Sequence, residues 1–490
     1  MASAPQTNGH AAKPVTIAVV GAGSRGTTYA AYALENPQLA KVVAVAEPSR
    51  HRRDVFSRKH RQVERVRETR GQTLRCTANT GAMHAASDKT CNFQTGRVRK
   101  YGLTVEAETN TTQDHQHVEA VQDFAELGYH ILCEKPMATS VADCVKIRNL
   151  AQATAPKVFA MGHVLRYSPY NRAVKDVIDS GALGEIVNIQ HIEPVGNQHF
   201  AHSYVRGNWH KEADSSFALM TKSCHDIDIV NFYLDGLKPT KVHSFGSLRH
   251  FKKSQKPVEA GSAKRCLECA HEKNCVWSAK KIYIDTLKGN VEKVPLFTLP
   301  LSIPPRLICQ CLQWARHFVD SEVLDIENVT EALNRTNYGT CVYEGENDVV
   351  DHQIVNIEYQ GGITASVTMS AFTESVCQRG TRIQGTKGEL IGDMTTFDVF
   401  DFLSRTSKHY TPKLDGGYHG GGDTGLARAF VSAVAQSNQS ILRVTIDDIL
   451  DSHLLVFAAE KARKESCVVD FDQFKHASTD TNVSNSIIAG

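Results

Sequence analysis

An α/β fold with a parallel, doubly wound sheet at its N-terminal end is predicted by three observations. Residues 13–48 run strand, Gly21-x-Gly23-x-x-Gly26 turn, helix, second strand and then an acid, Glu47. Residues 111–137, TTQDHQHVEAVQDFAELGYHILCEKPM, supply another helix and strand, which end in Glu134-Lys135-Pro136. Much later, Val355, Ile357 and Tyr359 alternate with polar residues, Gly361-Gly362 turns the chain, and Ile363, Ala365, Val367 and Met369 alternate again. Strands alternating with helices call for a parallel sheet. The late hairpin, apolar on one face, calls for a second domain that covers that face.

The first unit is the most restrictive. Ile17 to Val20 is a short β-branched run of buried-strand type, and Gly21 permits the tight turn after it. Gly23 lets the backbone approach a pyrophosphate, and Gly26 lets the helix pack closely on the strand, so that the positive helix start faces the phosphates. Glu47 ends the next apolar run, about twenty residues on, where a carboxylate accepts hydrogen bonds from a ribose diol. This placement favours NAD. Arg50, Arg52 and Arg53 crowd the same strand end and offer charge to a 2′-phosphate, which keeps NADP open. In the second segment an amphipathic helix over 118–127 stops at Gly128, and a strand over 129–133 delivers Lys135 to the carboxyl end of the sheet, where ligands of open α/β sheets bind.

GAGSRG, Glu47, TTQDHQH and EKP, in this order, resemble the Gfo/Idh/MocA family of nicotinamide-dependent oxidoreductases acting on sugars and cyclitols. The resemblance continues through GHVLRYSP (162–169), SGALGEI (180–186), HSYVRGNW (202–209), SCHDID (223–228) and GTKGELIGD (385–393). It implies an N-terminal Rossmann NAD(P)-binding domain over 13–160 and a C-terminal α/β domain over 161–475. The second domain would carry a large, mostly antiparallel open sheet that builds the substrate pocket and serves as a homo-oligomer interface; 1–12 and 476–490 would be flexible tails. Cofactor contacts are implied for Gly21, Gly23, Ser24, Arg25, Gly26, Glu47 and Arg50, and for Thr112, His117, Glu134, Lys135 and Pro136.

Hydride exchange with a secondary alcohol needs a base for the hydroxyl proton and a positive group near the developing alkoxide. By resemblance Lys135 supplies the charge and His225 the acid/base, histidine being the side chain that ordinarily titrates near neutrality. Many members carry an acid four residues before this histidine; here Thr221 stands there, followed by Lys222. Lys222 is then the positive group toward substrate, and Asp228, one turn after His225, orients its ring. Arg166 and His419 are further candidates for the polyol, and Asp423 is an expected N-cap of a helix over 426–435. A dinucleotide-binding regulator without turnover, or a metal-dependent interaction protein, are the alternative readings.

The chain has 490 residues, 41% hydrophobic and 22% charged, with net charge +2, an ordinary globular balance that requires neither nucleic acid nor membrane. No apolar leader or membrane-length run is present, which points to the cytoplasm. Thirteen cysteines without a secretory signal argue for reduced thiols. Cys266-x2-Cys269-x5-Cys275 has spacing suited to zinc, with His271, Cys309 or Cys311 as possible fourth ligands. One stretch departs from the pattern: residues 61–110 are polar, basic and almost free of apolar periodicity, as in a disordered insertion, a basic interaction loop, or an aberrant product of gene prediction or splicing. Only 102–107 reads as a strand there, with Glu106 placing a charge in the sheet.

Overall fold

The structure, a computed structural model, describes residues 13–60, 106–287, 314–319, 321, 323–414 and 419–480. It divides into two compact units: the chain up to Ala173 with Pro412–His453, and Val174–Thr411 with Leu454–Asp480. In the first unit β1 (Val15–Val20), α1 (Ser24–Glu35), β2 (Ala40–Ala46) and α2 (Arg50–Lys59) come before the polar stretch. After it come β3 (Ala107–Asn110), α3 (His117–Glu126), β4 (His130–Cys133), α4 (Val141–Ala153) and β5 (Phe159–Met161). The strands form one parallel sheet in the order β2-β1-β3-β4-β5. The chain winds outward from β1 to β2 and then crosses back to β3, so the topological switch, where such sheets bind ligands, lies between β1 and β3. α3 forms because Val121, Phe124 and Ala125 recur on one buried face. It stops at Gly128, whose φ of +72° suits glycine.

β3 departs from expectation. Residues 61–105 lie outside the described residues, and the strand begins at Ala107, after Glu106 rather than around it. The Glu106 carboxylate accepts the Thr16 N–H at 3.0 Å at the strand's edge. The charge that does enter the sheet is Glu108, fully buried, with neither carboxyl oxygen hydrogen-bonded. Burial raises its pKa well above the carboxylate range. A folded-state pKa raised in this way makes stability greatest below the unfolded value, about 4.5, and reduces it as pH rises through the folded value. Glu108→Val, a β-branched residue suited to a central strand, is therefore expected to stabilise the chain by about 1–3 kcal/mol near pH 5 and by more at pH 8. Thermal unfolding of both chains at the two pH values checks this; a gain that fails to grow with pH would show that Glu108 is paired.

α5 (Pro169–Asp179) carries the chain into the second unit, which has β6 (Ile186–Pro194), α6 (Ala218–Tyr233), β7 (Pro239–Ser247), α7 (Ile326–Arg335), β8 (His352–Tyr359) and β9 (Thr364–Ser370). Then come β10 (Gly380–Gly385), β11 (Gly388–Gly392), β12 (Phe397–Asp401) and β13 (Thr406–Tyr410). The β8–β9 hairpin has the expected register, Val355 opposite Val367 and Ile357 opposite Ala365. With β14 (Val469–Asp470) these strands make one nine-stranded sheet, β13-β12-β11-β10-β6-β9-β8-β7-β14, antiparallel except for β6 and β9. The second domain therefore carries the large open sheet.

Two boundaries shift. Residues 412–453 belong to the first unit, because α8 (Gly422–Ala435) packs on the turn Val164–Tyr167. A Cβ on Gly422 would stand 2.3 Å from the Val164 carbonyl oxygen, so only glycine permits that approach. After α9 (Ile446–Glu465), α10 (Phe471–Thr479) occupies the start of the expected 476–490 tail. It is capped by the Asp470 carboxylate accepting the Gln473 N–H.

Candidate active site

The glycine turn is shaped for a phosphate. A Cβ on Gly26 would lie 1.9 Å from the Gly21 carbonyl oxygen, which is the close helix-on-strand packing expected there. A Cβ on Gly23 would meet nothing within 4 Å, so the space that this glycine leaves open is not filled by the chain. α1 begins at this point with neither a capping side chain nor an acid in its first turn, and its orphan N–H groups and positive dipole end suit a pyrophosphate. Glu47 is buried; its carboxylate accepts the Ala22 N–H at 2.9 Å and the Ser49 N–H at 2.9 Å, which ties the glycine turn to the end of β2. Each oxygen keeps a second lone pair for a ribose hydroxyl. Arg53 is spent on the carbonyls of Glu47 and Pro48, and exposed Arg50 stands 3.9 Å from Asp54.

The Glu134-Lys135-Pro136 turn leaves the carboxyl end of β4 in the same unit and is fixed from several sides. His117, fully buried, donates from Nδ1 to the Pro136 carbonyl at 2.7 Å, and its Nε2 lies 3.4 Å from the Thr112 carbonyl. It braces two loops instead of facing a ligand. Thr112 bonds through Oγ1 to Asn110 Oδ1 at 2.8 Å. His453 donates from Nδ1 to the Ile449 carbonyl, which leaves Nε2 to accept the Met137 N–H at 2.9 Å. The Glu134 carboxylate accepts from Arg25 Nε at 2.7 Å, from the Tyr29 hydroxyl at 2.6 Å and from the Lys135 N–H at 2.9 Å. Burial opposes its ionisation, but Arg25 and Tyr29 outweigh this and lower its pKa.

Arg25 also reaches Asp423 Oδ1 at 2.6 Å, and His419 Nδ1 lies 3.0 Å from Asp423 Oδ2. Asp423 is therefore an ion-pair partner within the first turn of α8, whose N-cap is Gly421, and not the cap itself. Three segments distant in sequence, at Arg25, Glu134 and Asp423, thus meet as one charged cluster that orients the lysine turn. Ser24 starts α1, where its carbonyl accepts the Thr28 hydroxyl at 2.9 Å, and Arg166 is buried on the turn Val164–Tyr167.

In the second unit α6 is buried on nearly every side even though it carries Thr221, Lys222, His225, Asp226 and Asp228. Buried charge needs partners. The Lys222 ammonium lies 3.2 Å from Glu193 Oε1 and 2.9 Å from the Cys377 sulfur. Burial works against its charge, but Cys377 and Glu193 hold its pKa above the lysine range. Arg379 joins Glu193 at 2.8 Å to Asp226 at 2.9 Å, and Asp226 also bonds His191 at 3.1 Å. Asp228 lies close enough to Tyr359 to help burial raise that hydroxyl's pKa. Glu193, His191 and Arg379 were not singled out from sequence. A signal existed: the period of two in β6 puts Ile189, His191 and Glu193 on its buried face, and polar residues on an inner face mark a site.

Cys266, Cys269 and Cys275 line one small cavity, with His271 and with Cys341 from a distant segment; Cys309 and Cys311 lie outside the described residues.

A parallel sheet with an open glycine cradle, an acid at the second strand end and a lysine turn at the crest defines a dinucleotide-binding α/β protein with a separate open-sheet domain. Residues 15–163 match the oxidoreductase family with an NAD-binding Rossmann fold, GFO/IDH/MocA, and residues 171–263 match that family's C-terminal domain. The chain belongs to this family. It is 22% identical over 330 residues to the protein YteT of Bacillus subtilis, covering 64% of this chain and 68% of that one. It is 26% identical over 132 residues to an inositol 2-dehydrogenase of Gluconacetobacter diazotrophicus, covering 27% of this chain and only 36% of the relative. The fold is similar to that of a levoglucosan dehydrogenase solved with NADH and levoglucosan, with TM-score 0.60, 16% identity and coverage of 94% of this chain and 99% of that one.

Proposed function

We propose that the chain is an NAD-dependent dehydrogenase that oxidises a secondary alcohol of a sugar, cyclitol or related polyol. The observation that carries this reading is the open space at Gly23 before the uncapped α1, in the same unit as the fixed Lys135 turn. Bound NAD would supply the hydride acceptor. Gly21, Gly23 and Gly26 bring backbone N–H groups to its phosphates, and Glu47 holds the ribose diol. Lys135 stabilises negative charge on the substrate oxygen, His225 takes the hydroxyl proton, and Lys222 and His419 contact further hydroxyls. Glu47 repels a 2′-phosphate, and the engaged Arg53 does not compensate, so NAD is preferred over NADP.

The protein acts as a homo-oligomer in the cytoplasm. Phe245, Ile354, Thr368 and Ile192 face one another in register across β7, β8, β9 and β6, and the three apolar ones are exposed. Such a row suits a second copy. No described helix is long and apolar enough to cross a membrane, and no described cysteine is in a disulfide. Isothermal titration with NAD, NADH, NADP and NADPH is expected to give NAD(H) binding at least about tenfold tighter than NADP(H), a 1.4 kcal/mol difference. Nicotinamide reduction is then followed over a polyol panel, and light scattering gives the mass. Tight NAD binding without turnover of any polyol would select a regulator instead.

A further inference from the structure

The cysteine segment of the second unit makes a small pocket whose walls come from two places in the chain. Two successive 3₁₀ turns, Cys266–Glu268 and Glu272–Asn274, put Cys266, Cys269 and Cys275 at their corners. Residues 264–266 form an isolated antiparallel bridge with 340–341: Arg265 pairs with Thr340, and the Cys341 N–H donates to the Lys264 carbonyl at 2.9 Å. This bridge brings Cys341 to the same cavity, of about 20 Å³, that the other three cysteines line. That volume holds one water-sized sphere.

The sulfurs have the outer partners that thiolates require. The Trp277 backbone N–H donates to Cys275 and the Tyr343 backbone N–H to Cys341, in each case from two residues further on. Arg206, buried among them, donates from Nη2 to the Cys266 sulfur at 3.4 Å and is fixed by the carbonyls of Trp277 at 2.7 Å and Thr340 at 2.8 Å. Four thiolates carry more negative charge than a dication removes, and the Arg206 guanidinium offsets the excess. No described cysteine is in a disulfide, so each of the four can become a thiolate ligand.

We infer that Cys266, Cys269, Cys275 and Cys341 bind a single zinc ion that clips the 266–275 segment to the 340–341 strand. The fourth ligand is thus Cys341, which a distant segment brings to the cavity, in preference to His271. No three of the sulfurs stand within 4.8 Å of one another, so ligation turns the side chains inward about the cavity centre. A closed four-cysteine set leaves no open position, which makes the ion structural and not catalytic. It holds together two parts of the long connection between β7 and β8, and metal binding there becomes folding energy.

Elemental analysis of the purified full chain, prepared without added metal or chelator, tests this. One zinc per chain is expected. Cys341→Ser and Cys269→Ser are expected to lose it and to unfold at lower temperature, whereas Cys144→Ser, buried in the first unit, keeps it. Should the serine variants fail to fold, a mercurial added to the native protein must release one zinc per chain, and cobalt exchange must give the thiolate-to-cobalt absorption of a tetrahedral four-sulfur site. Protein without stoichiometric zinc, iron with acid-labile sulfide in its place, or a Cys341→Ser variant that retains full zinc would each overturn the assignment.

Discussion

Replacing Arg379 with methionine is expected to cost about 3–5 kcal/mol of stability, since it breaks a buried charge network from its centre. Among the described residues Arg379 is the group that touches both Glu193 and Asp226, each fully buried. Without it two carboxylates remain in low dielectric, with Lys222 beside one and His191 beside the other. The pH dependence should reverse as well. In the intact chain burial would raise the Asp226 pKa, but Arg379 and His191 hold it below the usual range. Such a group stabilises the fold above its unfolded pKa, and the contribution is lost as pH falls through the folded one. In Arg379→Met burial dominates, and stability should instead fall as pH rises. Arg379→Lys keeps the charge but loses the planar fork and should lie between the two. Denaturant unfolding of the three chains across pH measures this; a loss under about 1 kcal/mol for Arg379→Met, the scale of an exposed pair, would mean that water reaches the network.

The cluster also shows where sequence reading ends. Local patterns were sufficient for the glycine turn, for α3 with its Gly128 stop, and for the β8–β9 hairpin, because spacing within about ten residues encodes each of them. The partnership of Arg25 with Glu134 and Asp423 was not legible, although each lay in a segment already singled out. Its contacts span 109 residues in one case and 398 in the other. The same holds for Cys341, joined to Cys266 by a one-pair bridge that has no strand signature of its own. β3 failed for a different reason. Ala-Glu-Thr-Asn has no apolar periodicity, and it pairs as a central strand because β1 and β4 on either side supply its hydrogen bonds. Neighbouring strands imposed the strand on a sequence that argues against it, and Glu108 bears the cost.

Lys135→Ala and His225→Ala are each expected to lower kcat/KM by about 10²–10⁴-fold, the range of a positioned proton-transfer or charge-stabilising group. The two residues lie in different compact units, so a shared loss cannot come from one local collapse. Lys135 belongs to a turn whose backbone is held by His117, His453 and Glu134, and truncating its side chain leaves those bonds in place. Binding of NAD by Lys135→Ala should therefore weaken less than turnover does. His225→Ala should leave NAD affinity unchanged and remove one inflection from the pH profile of kcat/KM. If both groups act on one proton transfer, the double variant should lose little more than the worse single one, because residues that work as a unit are not additive. Losses that multiply would make Lys135 and His225 independent contributors, and a loss under tenfold for His225→Ala, with unfolding unchanged, would take the proton away from His225.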